Sequence, residues 1–287
     1  MEIENLIKLI ENKCVAVGIS STEVNYVKDL VYNKIKDKSI FVCEGLWAVE
    51  KLIDKKLEVT AFYLNTEKLN EENPENLTKI LKMANYAKKV YSISSKTCKK
   101  ISDRDGFDEY FIVAKLKALT LNDIEEKYKL KENVLAIVMD GLEQPGNIGS
   151  ILRSFDCAGG DFAIITNKQA RLNNSRLVRA SLGASFMLDV IEEEIETVQN
   201  WLEKNNYKCL VTDLTATKNF KDVDYSGKIA IISGNEHTGI SPSWRKLKNA
   251  HGIIIPMLGS CESLNVGFAS TLVAYEAGLQ KFKNIKY

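Results

Sequence analysis

The chain has 287 residues, about twice the common length of a single domain, so we expect one large domain or two ordinary ones. Its composition, 45% hydrophobic and 27% charged with 4 Pro and 16 Gly, is typical of a globular protein and excludes a disordered, collagen-like or repetitive chain. The formal net charge of +1 argues against a nucleic-acid binder that is basic over its whole surface, but it leaves room for a local basic patch.

Several features of the sequence predict a cytoplasmic protein. The opening segment MEIENLIKLIENK is charged every few residues, and no window approaches the roughly 18 to 20 apolar residues that span a bilayer. We therefore expect neither a signal peptide nor a membrane span. The six cysteines are scattered and form no C-x-x-C or Cys/His cluster, so we expect neither a disulfide framework nor a metal site.

Residues 1–120 predict a small α/β domain with a short helical lead over residues 1–37. From residue 38 to 119, the strands SIFVCE, VTAFYLN, KVYSIS and YFIVAKL alternate with the helices LWAVEKLIDKK, ENLTKILKMANYA and SSKTCKKISD. Residues 121–133 are polar and dense in charge, which predicts a linker.

Residues 134–287 predict a larger α/β domain. Its strand-like runs are VLAIVMD, DFAIITN, FMLDVI, KCLVTDL, KIAIISG and GIIIPM, several of them continuous apolar stretches typical of a parallel sheet buried on both faces. The helical patterns between them are IGSILRSFDCAG, SRLVRASLGA, EIETVQNWLEKNN, SPSWRKLKNA and VGFASTLVAYEAGLQKF. In such sheets ligands bind at the carboxyl ends of the strands, so the loops there are the first place to look for a site.

Three of these loops combine Gly, Asn, Ser and Pro in ways that packing does not demand. In DGLEQPGNIGSILRS (residues 140–154), Asn147 is placed to cap a helix and Arg153 lies about one and a half turns into it. In SGNEHTGIS (233–241), two glycines bracket Asn-Glu-His. In IPMLGSCESLNVGFAS (255–270), a strand breaks at its proline, and Ser263 or Asn265 caps a long helix.

Each of these features also has a purely structural interpretation. A Gly/Asn-rich turn is usually only a turn, Arg153 alone could be a solvated surface arginine, and Glu236 could be a helix-entry carboxylate. The joint occurrence of the loops favours a binding site. No G-x-G-x-x-G follows a strand, and no G-x-x-x-x-G-K-[ST], G-x-S-x-G or H-E-x-x-H is present, so nucleotide-binding, hydrolase and zinc-protease classes lose support.

The three loops, in this order and spacing, resemble the signature motifs of the SPOUT superfamily of RNA methyltransferases, in its SpoU or TrmH-like branch. The first loop matches N-x-G-x-x-x-R through Asn147, Gly149 and Arg153, and the second matches G-x-E-x-x-G through Gly234, Glu236 and Gly239. The third matches I-P-M followed by S-L-N-V through Ile255, Pro256, Met257, Ser263, Leu264, Asn265 and Val266. One departure is Gly267, where the family usually has Ser.

The resemblance implies a fold, a cofactor site and an assembly. It implies a parallel-sheet domain with a deep trefoil knot, which packs into a homodimer with help from the last helix. It also implies S-adenosylmethionine as methyl donor, held mainly by main-chain groups around Gly234, Ile255, Met257 and Leu264, and no metal. The N-terminal segment SIFVCEGLWAVEKLIDK is similar to the small RNA-binding domain, related to certain ribosomal proteins, that precedes the catalytic domain in many of these enzymes.

The implied reaction is methyl transfer to a ribose 2′-hydroxyl. Its catalytic set would be Asn147, Arg153, Glu236, Ser263 and Asn265. Because an arginine, with a solution pKa above about 12, is a poor base, we expect Arg153 to bind RNA phosphate and stabilise the developing alkoxide. The remaining members would orient Arg153 and the ribose, and the proton acceptor stays open.

RNA affinity requires cations that neutralise phosphates. The densest arginine cluster contains Arg171, Arg176 and Arg179, and a second patch holds Lys88, Lys89, Lys96, Lys99 and Lys100. Both also fit ordinary solvated faces.

We expect ribosomal RNA of the 23S type as substrate. A transfer-RNA 2′-O-methyltransferase and a non-catalytic RNA-binding protein of the same fold stay open as alternatives, whereas a nicotinamide-dependent oxidoreductase lacks its glycine fingerprint.

Overall fold

The computed structural model describes residues 3–281 and divides into two compact units. The first unit runs up to Lys117 and also includes Leu172–Gly183, while the second comprises Ala118–Arg171 and the chain from Ala184 onward. The outermost ends of the two predicted domains, residues 1–2 and 282–287, lie outside the described residues. The chain thus leaves the second unit once and returns to it, which the predicted order of two consecutive domains did not include.

The first unit is a mixed five-stranded sheet with helices. Its elements are α1 (Ile3–Glu11), β1 (Val15–Ala16), α2 (Thr22–Val31), β2 (Ile40–Glu44), α3 (Val49–Asp54), β3 (Val59–Asn65), α4 (Pro74–Tyr86), β4 (Val90–Ile93), α5 (Ser95–Ile101), β5 (Tyr110–Lys115) and, from the later segment, α8 (Ser175–Ser181). The strand order is β1-β4-β3-β5-β2, with β5 antiparallel to both of its neighbours. Apolar residues of α2 and α5 pack together on this sheet and bury one of its faces.

Helix α8 is anchored within the first unit by side-chain hydrogen bonds at its N-terminal side. The Asn173 Nδ2 donates to the carbonyls of Asp37 (3.0 Å) and Ile40 (2.8 Å). The Ser175 N–H donates to Asn33 Oδ1 at 3.0 Å. The helix ends at Ser181 because Leu182 adopts a left-handed backbone conformation (φ 45°), so the single helix predicted over SRLVRASLGA is shorter than expected.

The second unit is a six-stranded, all-parallel sheet. Its elements are α6 (Leu121–Tyr128), β6 (Val134–Asp140), α7 (Pro145–Cys157), β7 (Phe162–Thr166), α9 (Ala184–Met187), β8 (Asp189–Glu192), α10 (Ile195–Lys204), β9 (Lys208–Thr212), β10 (Lys228–Ser233), β11 (Ala250–Ile253) and α11 (Val266–Lys281). The strand order is β11-β9-β10-β6-β7-β8. The central strand β6 is buried along its whole length, as its continuous apolar run predicts.

The strand order reverses between β6 and β10, which are adjacent in the sheet but far apart in the chain. Such a reversal opens a crevice at the carboxyl ends of the two strands, where open α/β sheets bind ligands. The loops after β6 and β10 are the first two loops predicted from the sequence, so the topology brings them together.

Four predicted elements of this unit differ from the observed ones. The strand predicted over FMLDVI (186–191) begins only at Asp189, because Phe186 and Met187 belong to helix α9. The stretch 121–133, predicted as a linker, contains α6, whose Leu121, Ile124 and Tyr128 belong to the core of the second unit. The strand predicted over GIIIPM (252–257) is observed as Ala250–Ile253. The helix predicted over SPSWRKLKNA is a short 3-10 turn, Pro242–Lys246.

The predicted fold class, an α/β protein with a parallel C-terminal sheet and a smaller N-terminal α/β domain, is confirmed. The trefoil knot stays a prediction. Within residues 3–281, no helix is both long and apolar enough to cross a membrane. The cysteines are unpaired, and Cys43, Cys98 and Cys209 are buried.

Candidate active site

The loop between β6 and α7 presents Asn147 from the first turn of the helix. Pro145 stands in that turn, where its missing N–H costs nothing, and Gln144 is the N-cap residue. The prediction that Asn147 caps the helix is therefore wrong, because the helix begins two residues earlier. The Asn147 Nδ2 instead donates to Glu236 Oε1 at 2.8 Å and so joins the loop after β6 to the loop after β10.

The loop after β10 is a tight turn closed by two backbone hydrogen bonds. The Asn235 N–H donates to the Gly239 carbonyl (2.8 Å), and the Gly239 N–H donates to the Asn235 carbonyl (3.0 Å). Gly239 has φ +73°, a conformation that favours glycine. At Gly234, a methyl group would overlap the backbone of Gly239 and Ile240, so the turn can close only on a glycine there.

The side chain of Asn235 holds this turn in place. Its Nδ2 donates to the Gly141 carbonyl (2.8 Å) and to Glu143 Oε1 (3.0 Å), both in the loop after β6. Its Oδ1 accepts from the backbone N–H of His237 (2.8 Å) and Thr238 (2.9 Å). The loops after β6 and β10 are therefore joined by two amide side chains, Asn147 from the first and Asn235 from the second.

Asp140, the last residue of β6, is a buried carboxylate that joins the ends of β6 and β7 to the segment after β10. It is 1% exposed. Its donors are Thr166 Oγ1 (3.2 Å), Asn167 Nδ2 (2.7 Å), the Ser241 N–H (2.8 Å) and Trp244 Nε1 (3.1 Å). Asp140 was not among the predicted site residues, although an Asp that ends an apolar strand at its carboxyl end is a recognisable signal.

Glu236 is held as a carboxylate. Besides Asn147, its oxygens accept from the backbone N–H groups of Glu143 (3.2 Å) and Gln144 (3.3 Å). Partial burial acts to raise the pKa of Glu236, but the hydrogen bonds from Asn147 and from backbone N–H groups outweigh it and place the pKa below its ordinary value. A carboxylate fixed by several donors is suited to orienting its neighbours.

The third loop contributes Asn265 at the start of α11. The Asn265 Oδ1 accepts from the Gly267 N–H at 2.8 Å, which confirms Asn265 as a cap of that helix. Its Nδ2 donates to Asn147 Oδ1 at 3.3 Å. Glu236, Asn147 and Asn265 thus form one hydrogen-bonded chain across the three loops. The Gly267 N–H supplies a main-chain contact that needs no side chain, so the departure from Ser is accommodated there.

A cavity of about 450 Å³ opens beside this chain. It is lined by residues from the ends of β9, β10 and β11 and from the third loop, including the four predicted cofactor residues Gly234, Ile255, Met257 and Leu264. Glu236, Ser263 and Asn265 of the predicted catalytic set line it as well. Asn147 and Arg153 are not lining residues, but Asn147 is bonded to two residues that are.

Comparison with known proteins matches the same region of the chain. The model of the SpoU rRNA methylase family matches residues 134–275. The 23S rRNA (guanosine-2′-O-)-methyltransferase of Haemophilus influenzae is 30% identical over 185 residues, 62% of this chain and 74% of that protein. This chain belongs to the SpoU methylase family.

One further relative and one solved structure are also similar to this SpoU family chain. The 23S rRNA (uridine(2479)-2′-O)-methyltransferase of Streptomyces viridochromogenes is 32% identical over 162 residues, 54% of this chain, and the match spans 56% of that relative's length. The crystal structure of an AdoMet-bound rRNA methyltransferase from Sinorhizobium meliloti has a TM-score of 0.82 at 21% identity, covering 94% of this chain and 99% of that one. At that identity the likeness shows the shared fold.

Asp213 is a cavity residue that the motif-based prediction did not include. It follows β9 and lines the cavity beside Thr212 and Leu214. Its Oδ2 accepts from Arg245 Nε at 2.7 Å, and this hydrogen bond holds the pKa of Asp213 below its ordinary value. As for Asp140, the sequence signal that could have indicated Asp213 is a carboxylate at the carboxyl end of an apolar strand.

Arg153 lies on α7, away from the cavity. It is exposed, and its guanidinium makes no hydrogen bond or ion pair with another residue of the 3–281 range. It lies six positions after Asn147, which corresponds to about 9 Å along a helix axis. Its side chain is therefore available to a ligand outside the cavity.

The three predicted RNA-binding arginines belong to different units of the structure. Arg171 belongs to the second unit, whereas Arg176 and Arg179 belong to the first. Arg179 NH1 pairs with Glu44 and with Asp103, each at 3.1 Å, and is therefore part of an internal ion cluster of the first unit. Arg176 also contacts Asp103, at 3.4 Å, but its side chain is 68% exposed.

Proposed function

We propose that this chain transfers the methyl group of S-adenosylmethionine to a ribose 2′-hydroxyl of ribosomal RNA of the 23S type. The observation that carries the proposal is the chain Glu236–Asn147–Asn265, which joins all three family motifs at the rim of one cavity. Two relatives with the matching region are named as 23S rRNA 2′-O-methyltransferases. With a ribosomal RNA substrate, the reaction would take place in the cytoplasm, as the sequence predicts.

The cavity fits S-adenosylmethionine in size and lining. Its volume of about 450 Å³ is within the common range of small-molecule sites. Ile240, Ile253, Ile255 and Leu264 supply apolar walls for an adenine ring. The bare backbone at Gly234 and Gly239 lets a ligand approach main-chain groups closely.

The chain's own residues would act mainly by orientation. When bound, the sulfonium donor supplies a methyl group that is already electrophilic, so the protein has to align the ribose hydroxyl and help its proton leave. Glu236, ionised and bonded by three donors, fixes the Asn147 amide, and Asn265 fixes its other end. Asn147 is therefore a positioning residue, and Ser263, on the cavity wall, is free to contact the ribose.

Arg153 would act on the RNA. Because its guanidinium is exposed and bonded to no other described residue, it is free to bind the phosphate next to the target ribose and to stabilise the developing alkoxide.

We further propose a homodimer formed through the second unit. Helix α11 buries one face, containing Val273, Ala274 and Ala277, against its own unit. On the opposite face, Phe268, Leu272, Tyr275 and Leu279 follow one another at helical spacing and are exposed, Phe268 by 69%. A contiguous apolar stripe of this kind favours an interface with a second copy of the chain.

The first unit would recognise the RNA, in agreement with the predicted role of the N-terminal domain. Of the two predicted RNA-binding arginines in this unit, Arg176 has the exposed side chain and is the one accessible to a phosphate.

The proposal is tested by incubating the protein with labelled S-adenosylmethionine and separate ribosomal and transfer RNA pools, followed by mapping of ribose methylation. We expect 2′-O-methyl groups in 23S RNA. Methylation of transfer RNA would select the alternative substrate, and label on a base or on no RNA would refute the proposed reaction.

A variant of the exposed arginine tests its role in the same assay. Arg153→Ala should lower the rate of methyl transfer by at least about 100-fold and leave the dissociation constant for S-adenosylmethionine within about twofold, because Arg153 does not line the cavity. Full activity of this variant would show that Arg153 has no part in the reaction.

A further inference from the structure

An exposed tyrosine with two lysine ammonium groups close to its ring lies at the end of α2 in the first unit. Tyr32 is the C-cap residue of that helix and is 43% exposed. The ammonium groups of Lys28 and Lys34 lie 5.5 and 5.8 Å from the centroid of its ring. Within the described part of the first unit, no other tyrosine ring has a cation this close.

Hydrogen bonds through two neighbouring segments connect Tyr32 to Arg176 and place both residues on the same surface of the first unit. The Tyr32 hydroxyl donates to the Ser102 carbonyl at 3.1 Å, and the neighbouring Asp103 accepts from Arg176 Nε at 3.4 Å. On the other side, Asn33 is bonded to Ser175, the residue before Arg176. We call the four side chains Lys28, Tyr32, Lys34 and Arg176 the Tyr32 surface.

The charge that a ligand meets on the Tyr32 surface is positive. The side chains of Lys34 and Arg176 are 63% and 68% exposed, whereas the Asp103 carboxylate between Arg176 and Arg179 is only 9% exposed. Asp29 lies 3.9 Å from Lys34 and is the exposed carboxylate on this surface. Cations close to a partly exposed aromatic ring are suited to a polyanion that also carries flat rings.

We propose that the Tyr32 surface binds a single-stranded segment of the substrate RNA. One unpaired base would stack on the Tyr32 ring while the flanking phosphates contact Lys28, Lys34 and Arg176. A base in a duplex does not expose its face to such a ring, so the segment is a loop or an end. This inference rests on the proposed function, since it takes RNA to be the substrate.

Helix α4 of the same unit provides matched control residues. Tyr86 is 37% exposed, and its hydroxyl donates to the Leu57 carbonyl at 3.0 Å, as the Tyr32 hydroxyl donates to a carbonyl. Lys82 precedes Tyr86 by four residues, the spacing of Lys28 and Tyr32. Among the described residues, no cation lies over the Tyr86 ring.

The stacking contact is tested with full-length protein and a fluorescent oligouridylate of about 12 nucleotides. Tyr32→Ala should weaken binding about tenfold or more, because base stacking contributes about one to two decades of affinity. Tyr32→Phe, which keeps the ring, and Tyr86→Ala should bind within about twofold of the wild type. Circular dichroism of each variant establishes that the fold is retained.

The phosphate contacts are tested by the salt dependence of the same binding. The double variant Lys28→Gln/Lys34→Gln should lower the magnitude of the slope of log affinity against log salt concentration by about 1.4. Each phosphate of a single strand that a protein cation neutralises contributes roughly 0.7 to this slope, and the variant loses two such contacts. The control pair Lys79→Gln and Lys82→Gln should leave the slope unchanged. Ultraviolet cross-linking of bound RNA should label the tryptic peptide of residues 29–34.

The outcomes separate this inference from the proposed function. If Tyr32→Ala binds RNA as tightly as Tyr86→Ala while the wild type methylates RNA, the Tyr32 surface is not the RNA site and the proposed reaction stands. Loss of affinity in the lysine variants without loss in Tyr32→Ala would show that the cations contact phosphates while no base stacks on the ring, and it would overturn the proposed single-strand site. A wild type that neither binds nor methylates RNA would refute both.

Discussion

Asn147 carries the connection between the three motifs, although it does not touch the cavity. Its amide donates to Glu236 at one end and accepts from Asn265 at the other, so one small side chain fixes two loops that line the cavity. In enzymes that work by alignment, a displacement of about 1 Å costs about 100-fold in rate. Loss of this side chain should therefore affect the rate far more than the binding of the donor.

Asn147→Ala should lower kcat about 100-fold and change the dissociation constant for S-adenosylmethionine by no more than about threefold. The hydrogen bonds that it removes orient the rim of the cavity and not its apolar walls. Rapid-quench methyl transfer and calorimetric titration of the donor measure the two quantities. Asn205→Ala is the matched control, since Asn205 also donates to a glutamate, Glu125, outside the site. Equal losses in kcat and in donor affinity would contradict the positioning role.

Glu236 should make the stability of the protein depend on pH. Its folded-state pKa is below the ordinary value, so its contribution to stability is complete above the pKa of the unfolded chain and is lost as pH falls through the folded pKa. With its partial exposure to solvent, we expect Glu236→Gln to lower the free energy of unfolding by about 1 kcal/mol at pH 7. This difference from the wild type should disappear in the acid range below the folded pKa.

Urea unfolding followed by tryptophan fluorescence at several pH values measures this difference. Glu262→Gln is the control, because Glu262 is an exposed carboxylate in the third loop with no hydrogen bond to another residue within 3–281. A Glu236→Gln difference that grew as pH fell would have the wrong sign.

At the level of elements, α11 has two apolar faces and only one is covered by its own unit. The covered face approaches α7 so closely that a methyl group at Gly278 would overlap the Ala158 carbonyl. The outer face carries Phe268, Leu272, Tyr275 and Leu279, all exposed. A helix that is apolar all round is expected where both faces are buried, which favours pairing with a second copy.

Phe268→Glu should convert a dimer into a monomer, because it places a charge in the apolar stripe where burial would cost several kcal/mol. Sedimentation velocity over a range of protein concentrations measures the change. Tyr86→Glu, an exposed aromatic on α4, should leave the oligomeric state unaltered. A monomeric wild type would refute the proposed dimer directly.

The elements also show what could be predicted from the sequence and what could not. The buried strands and the three loops were predicted because continuous apolar runs and Gly/Asn turns are local signals. The strand over 252–257 was placed too late, since Pro256 lacks a donor and the pairing with β9 ends at Ile253. The Glu236–Asn147–Asn265 chain could not be predicted from the residues alone, because its members come from three distant loops and meet only through the sheet order.

The division into two units has one unexpected feature, a segment that lies between β7 and β8 in the chain but belongs to the first unit. Nothing local in SRLVRAS distinguishes a helix that packs on its own sheet from one that packs on another. The contacts that hold it there are distant in sequence, among them Asn33 to Ser175 and Arg179 to Glu44, and α8 also buries Leu177 and Val178. We therefore expect α8 to unfold together with the first unit. This can be tested in the intact protein.

Native-state hydrogen exchange should show that the α8 amides open together with the first unit. Leu64→Ala, a fully buried position of β3, should destabilise the first unit by about 2 to 5 kcal/mol and speed exchange in both β3 and residues 175–181. Ile137→Ala, equally buried in β6, is the matched change in the second unit and should speed exchange in β6 and β10 while α8 is unaffected. If the exchange of residues 175–181 followed Ile137→Ala, α8 would belong energetically to the second unit, and the anchoring by Asn33 and Glu44 would be too weak to determine its stability.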